Sequence, residues 1–221
     1  ATQDAVAQLL RKKARAGQLG ELVFQMAFEE HPRTMRQLTG PLSALGFQLL
    51  ATPCPVTGRT VVHLLSQALI HAPDGVRQEI VMRLASTPGE GVSRATERAL
   101  LVLAKVLQSH PDGLVPYASL LMGGLEAISN LPLAQMRLLL DILSALAVRK
   151  KGGSEEGILR LFVTKHLSNA QPHVKKMGLV GLVMTMKNGM MSSSSAGVTT
   201  AWETAKRSVR TCPAAAGLLY D

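Results

Sequence analysis

The residues of this chain with the most chemistry in them lie between Ser154 and Met190. They include Glu155, Glu156, Lys165, His166, His173, Lys175 and Lys176. Two adjacent carboxylates invite acid–base work, but negative charge in the first turn of a helix, behind the N-cap residue Ser154, accounts for them more simply. Ile158, Leu159, Phe162, Val163 and His166 recur at helical spacing, and their stripe centres near Phe162. Lys165 falls near the edge of that stripe, roughly a quarter-turn from its centre. A lysine there usually lays its stem on apolar surface and keeps its ammonium in water. The same placement also presents a nucleophilic amine at a groove edge. A polar break, Asn169-Ala170-Gln171-Pro172, leads into a second helix, Val174–Met186. That helix is apolar nearly all round and is expected to be buried.

Other chemistries have weaker support. The six histidines are scattered, and none stands four residues from another with the glutamate of a zinc helix. His166 and His173 flank the break and could form a proton-sensitive pair, although surface roles explain them as well. Cys54 and Cys212 each sit beside a proline, far apart and without metal-ligand spacing, so free thiols in a reducing compartment are expected. The chain lacks a phosphate loop, a GxSxG elbow and a dinucleotide fingerprint. Leu121–Gly124 reads as a small-residue contact, and the methionines from Met177 to Met191 read as adaptable packing. These patterns predict a non-enzymatic protein with no metal and no cofactor.

Hydrophobic residues make up 47 % of the 221 positions, but aromatics only 3 %. Packing therefore falls to Leu, Ala, Val and Met, which suits stacked helices. No apolar run is long enough for a membrane span, so no membrane partner is expected. Without an initiator methionine or a signal peptide, the chain is expected to be a piece of a longer protein. The net charge is +9, and eight of the 24 Lys and Arg residues lie between Arg149 and Lys187, against Glu155 and Glu156 alone. A basic cluster of this kind attracts phosphate backbones, and it equally serves as a solvated face.

The elements that must position these residues are helices throughout. The spacing predicts Gln3–Ala16, Leu19–Glu29, and a helix from Thr34 to about Leu50 that Gly40-Pro41 kinks or splits. A loop over Ala51–Gly58 precedes two pairs, Thr60–His71 with Asp74–Ala85 and Ser93–Ser109 with Leu114–Ser129. Leu133–Val148 has Met136, Leu139, Leu140, Leu143 and Leu146 at core spacing. It ends in Arg149-Lys150-Lys151-Gly152-Gly153, cations at a helix C-terminus followed by glycine. Residues 191–198 read as a flexible serine-rich loop around Ser192–Ser195, and Thr199–Arg210 as a last helix with Trp202. Helices of this length joined by Pro/Gly turns, with no strand alternation, predict an all-α fold. The expected architecture over residues 1–221 is a single α-solenoid segment of antiparallel helix pairs, with no β-sheet.

The stretch LFVTKHLSNAQPHVKKMGLVGLVMTMKN resembles the segment around the monoubiquitinated lysine in the Fanconi anaemia group I family. Lys165 takes the acceptor position, and Gly181 and the pair Lys187-Asn188 fall where the family has a glycine and the same pair. PLSALGFQLL (Pro41–Leu50), VRQEI (Val76–Ile80) and NLPLAQMRLLL (Asn130–Leu140) extend the likeness in order and spacing. The paralogous subunit of the same heterodimer shares this layout and is the close second. The closing LLYD suits either, whereas VRQEI and LPLAQ favour group I. Two departures stand out: Thr164 where the family usually has arginine, and no Ser-Gln pair near Ser192–Ser195. The resemblance implies a HEAT-like solenoid and a nuclear scaffold for interstrand crosslink repair. It further implies Lys165 as ubiquitin acceptor in the helix pair 154–190, loaded by an E2–RING E3 pair. A paralogous partner subunit and double-stranded or branched DNA complete the implied assembly. Arg149, Lys150, Lys151, Lys175 and Lys176 would be the basic contacts to DNA or ligase.

Overall fold

A computed structural model of the chain describes residues 2–90, 93–150, 153–189, 203, 206, 207, 209 and 210; for residues 2–7 and 90 it describes backbone alone. Among them there is no strand, and the helices group into two compact units, Ala1–Tyr117 and Ala118–Asp221. The architecture is all-α, of the solenoid type, built from packed helix pairs. No helix among the described residues is long and apolar enough to cross a membrane. Residues 191–198, Trp202, Lys151, Cys212 and the closing LLYD lie outside the described residues, as does most of the expected helix Thr199–Arg210.

The N-terminal unit carries α1 (Thr2–Arg15), α2 (Glu21–Glu30), α3 (Pro32–Leu49), α4 (Pro55–His71), α5 (Asp74–Ser86) and α6 (Arg94–Ser109). Prolines explain two of the boundaries that differ from the sequence reading. Pro32 and Pro55 each sit at the first helical position, where a missing N–H costs nothing and the fixed φ favours the turn. Helix α3 therefore starts before Thr34, and α4 takes in half of the expected loop Ala51–Gly58. Pro41 stands inside α3, which runs through as one element. Leu64, Leu65, Ala68 and Leu69 of α4 are buried, and Gly46 of α3 lies against Leu65, where a Cβ would come within 2.6 Å of the leucine. Ser93 caps α6, its hydroxyl accepting from the Thr96 N–H at 3.2 Å.

In place of a helix over Leu114–Ser129 the chain forms 3-10 turns at Pro111–Gly113 and Val115–Tyr117, then the short α7 (Ala118–Met122) and a 3-10 run at Gly123–Asn130. Pro116 and the pair Gly123-Gly124 interrupt any longer helix. Gly124 lies in the 3-10 run rather than within a helix as expected, and a Cβ there would stand 3.4 Å from Leu139. The C-terminal unit continues with α8 (Leu133–Arg149), α9 (Glu155–Leu167) and α10 (Pro172–Gly189). All five core positions expected on α8 are buried, each leucine contributing about 1.5–3 kcal/mol.

Candidate functional site

Helices α9 and α10 are held together by glycine. A Cβ at Gly178 would sit 2.6 Å from the Leu167 nitrogen and 2.9 Å from the His166 carbonyl carbon. One at Gly181 would sit 2.9 Å from Val163. The contacts advance along α10 as they retreat along α9, so the two helices are antiparallel. Only a residue without a side chain lets the backbones approach this closely. The turn is set locally: the Asn169 side chain accepts from the Gln171 N–H at 2.8 Å, and Pro172 opens α10. Met177 to Gly181 and Met184 are buried, but Val174, Leu182, Val183 and Met186 are half-buried, so the burial expected for all of Val174–Met186 is only partly reached.

The buried face of α9 is not centred on Phe162. Glu155, Leu159 and Val163 are buried, Phe162 is half-buried, and Ile158 is 41 % exposed. Leu161 is 70 % exposed. Ile158, Leu161 and Lys165 recur at i, i+3 and i+7, so they share one solvent-facing strip. Lys165 is exposed, and its amine has no hydrogen bond or ion pair among the described residues. The lysine thus sits about a third of a turn off the buried axis at Leu159, farther out than the sequence suggested. His166 is committed to α9 itself: its Nδ1 lies 2.8 Å from the Phe162 carbonyl and its ring 3.9 Å from the Phe162 ring. No contact joins it to His173 among the described residues, so the structure does not bring the two histidines together.

The basic residues differ in what they face. Arg149 is exposed and donates to the Ala145 carbonyl at 3.2 Å. Lys150 turns inward, its Nζ 2.6 Å from Glu155 Oε1 and 2.9 Å from the Ser119 hydroxyl. Lys175 and Lys176 are half-buried at the start of α10, and Lys187 pairs with Asp141 of α8 at 2.8 Å. The Asn188 amide donates to Asp141 Oδ1 at 2.7 Å and lies 2.8 Å from the Ser144 hydroxyl. The pair Lys187-Asn188 therefore anchors α10 on α8.

Glu155 is the site residue that pattern reading placed wrongly. Ser154 makes no side-chain cap; the carboxylate one position later organises the start of α9. It is only 1 % exposed and accepts from both Lys150 and Ser119. The Lys150 and Ser119 hydrogen bonds outweigh burial and hold it down at about 2. Gly153 leaves room for the carboxylate, since any Cβ there would collide with Oε2. The partnership joins residues 5 and 36 positions apart, and neither spacing is a helical or strand repeat. Among the described residues no group of three or more His, Cys, Asp or Glu is placed to hold a metal ion.

This arrangement, an exposed lysine on an apolar strip of a glycine-packed helix pair, belongs to a chain with identifiable relatives. It is 28 % identical to the Fanconi anemia group D2 protein of Gallus gallus over 181 residues, 81 % of this chain and 13 % of that protein. With the group D2 homolog of Mus musculus it shares 24 % over 205 residues, 82 % of this chain and again 13 % of the relative. The chain thus spans about an eighth of the length of these relatives. Both are group D2 proteins, so of the two subunits weighed in the sequence the comparisons favour the second over group I. The family described as "Fanconi anaemia protein FancD2 nuclease" matches residues 1–220, nearly the whole chain. The chain belongs to the Fanconi anaemia FancD2 family.

Proposed function

We propose that this chain is a scaffold segment of a DNA-repair protein and that Lys165 is its monoubiquitin acceptor. The observation that carries the reading is the amine of Lys165, exposed and unpaired beside Leu161 and Ile158. In the reaction the deprotonated Nζ attacks the thioester carbonyl carbon of a ubiquitin-charged E2. The C–S bond breaks, the thiolate leaves, an amide C–N bond forms, and the amine proton passes to solvent. A RING E3 supplies the positioning. Nothing in this chemistry requires a catalytic side chain from the acceptor. A nuclease role, the word in the family's description, would instead show as DNA cleavage by the purified chain with Mg2+ or Mn2+.

In this reading the protein works in the nucleus, pairs with its paralogous subunit and clamps DNA during crosslink repair. The strip of Ile158 and Leu161 contacts the paralogue and shields Lys165 until DNA binding reshapes the contact. Arg149, Lys175 and Lys176 offer positive charge to DNA or to the ligase. Lys150 contributes less, because Glu155 already neutralises it. Reconstituted ubiquitination of the full-length protein tests the acceptor. Wild type should gain one ubiquitin, and Lys165→Arg should gain none, with and without duplex DNA. Unchanged modification of the mutant refutes the assignment. Equal rates for the DNA-free heterodimer and the isolated subunit refute the shielding.

A further inference from the structure

A second surface lies in the N-terminal unit. Gly58 of α4 faces Arg98 of α6, and His63 faces Lys105, so the two helices lie side by side and run in the same direction. Beside them opens a groove of about 650 Å3, inside the range of roughly 300–1,000 Å3 of pockets that hold ligands. From Arg94 to Lys105 it follows α6 for roughly 17 Å at the helical rise. Val62, Leu101 and Ala104 give it an apolar strip, and Leu101 is 41 % exposed. Around that strip stand four cations, Arg59, Arg94, Arg98 and Lys105, against two carboxylates, Glu21 and Glu97.

None of these cations forms an ion pair among the described residues, and the two carboxylates offset only part of their charge. Arg94 donates to the Pro53 carbonyl at 2.5 Å, and Arg98 to the carbonyls of Leu50 and Thr52, each at 2.6 Å. Lys105 lies 3.0 Å from Nδ1 of His63, an imidazole that burial and the ammonium itself keep neutral. Arg59 has no polar partner among the described residues. All of these acceptors are neutral, so the groove retains an excess of positive charge over an apolar strip. That combination fits a ligand with carboxylates and at least one apolar side chain. It fits a nucleic acid less well, since no aromatic ring lines the groove for base stacking and a phosphate backbone has nothing apolar to cover Leu101.

We propose that the α4–α6 groove binds an acidic amphipathic peptide segment of a partner protein, its carboxylates meeting Arg59, Arg94 and Lys105 and its apolar side chain covering Leu101. This docking surface is independent of the Lys165 reading. The probe is a fluorescein-labelled peptide of three Glu-Leu-Glu-Glu repeats, titrated against the whole 221-residue chain by fluorescence anisotropy. Saturable binding is expected, weakened about tenfold by Arg59→Glu and by Leu101→Asp. Both residues are exposed, so circular dichroism should find both variants folded as the wild type. Absence of saturable binding, or equal affinity in the wild type and both variants, overturns the proposal. So does tighter binding of a duplex oligonucleotide that Arg59→Glu abolishes, which would reassign the groove to nucleic acid.

Discussion

In the N-terminal unit the turn between α3 and α4 is closed by a cation, Arg98; in the C-terminal unit the turn between α8 and α9 is closed by an anion, Glu155. Each is a buried ionisable side chain that ties down a short interhelical connection. Each lies against a glycine: a Cβ at Gly58 would come 2.5 Å from the guanidinium, and one at Gly153 would meet the carboxylate. The partners differ in kind. Arg98 takes the carbonyls of Leu50, Thr52 and Cys54, which are neutral and cannot titrate. Glu155 takes a lysine and a serine hydroxyl. The first closure holds at any ordinary pH, because a guanidinium stays charged. The second can be switched off by a proton, and it lies at the start of the helix that carries Lys165.

Removing the Arg98 closure should have the larger effect. Arg98→Met leaves the Leu50 and Thr52 carbonyls without a donor, while the Cys54 carbonyl keeps the Gly58 N–H, and should cost about 3 kcal/mol by chemical denaturation. A loss below about 1 kcal/mol would mean that water replaces the guanidinium and that the two turns are not comparable. Glu155→Gln should cost less, about 1–2 kcal/mol at neutral pH, because Lys150 can turn to solvent.

The pH profile separates the two further. The carboxyl of Glu155 titrates at about 2 in the fold, against an ordinary value of 4.5. Its folded value is the lower, so its contribution is complete above about pH 4.5 and is lost as pH falls from there toward 2. Wild type and Arg98→Met should share this acid slope, and Glu155→Gln should flatten it. Identical slopes in wild type and Glu155→Gln would remove the proton-sensitive half of the comparison. The smallest effect belongs to the exposed pair Glu156–Arg160 at 2.8 Å. Arg160→Ala should change stability by only a few tenths of a kcal/mol, and salt should erase the difference.

Much of this was legible in the residues. Helical periodicity located α8 and its five core positions, and the polar break at Asn169 located the α9–α10 turn. Three features were not legible, each for a physical reason. The buried axis of α9 was displaced because Ile158 and Phe162 look like core residues, while the position actually buried at its start holds a charge. The segment after Leu114 read as one helix because its apolar spacing continues across Gly123-Gly124, where glycine lets the backbone tighten into 3-10 turns. The choice between subunits leaned on VRQEI and LPLAQ, which begin helices. Arg77 of the first donates to the Leu69 and Ala72 carbonyls, and Leu131 of the second is buried. Both stretches answer to capping and packing, which any member of the fold must satisfy.

The common direction of α4 and α6 has an electrical consequence. Antiparallel neighbours cancel their peptide dipoles, but parallel ones add. Each helix start carries about half a positive elementary charge, and Cys54-Pro55 and Ser93-Arg94 put both starts at one end of the groove. The potential therefore falls from the Arg94 end toward the Lys105 end. A bound chain with its own polarity would be sorted by that gradient and held in one orientation, its more acidic end toward Arg94.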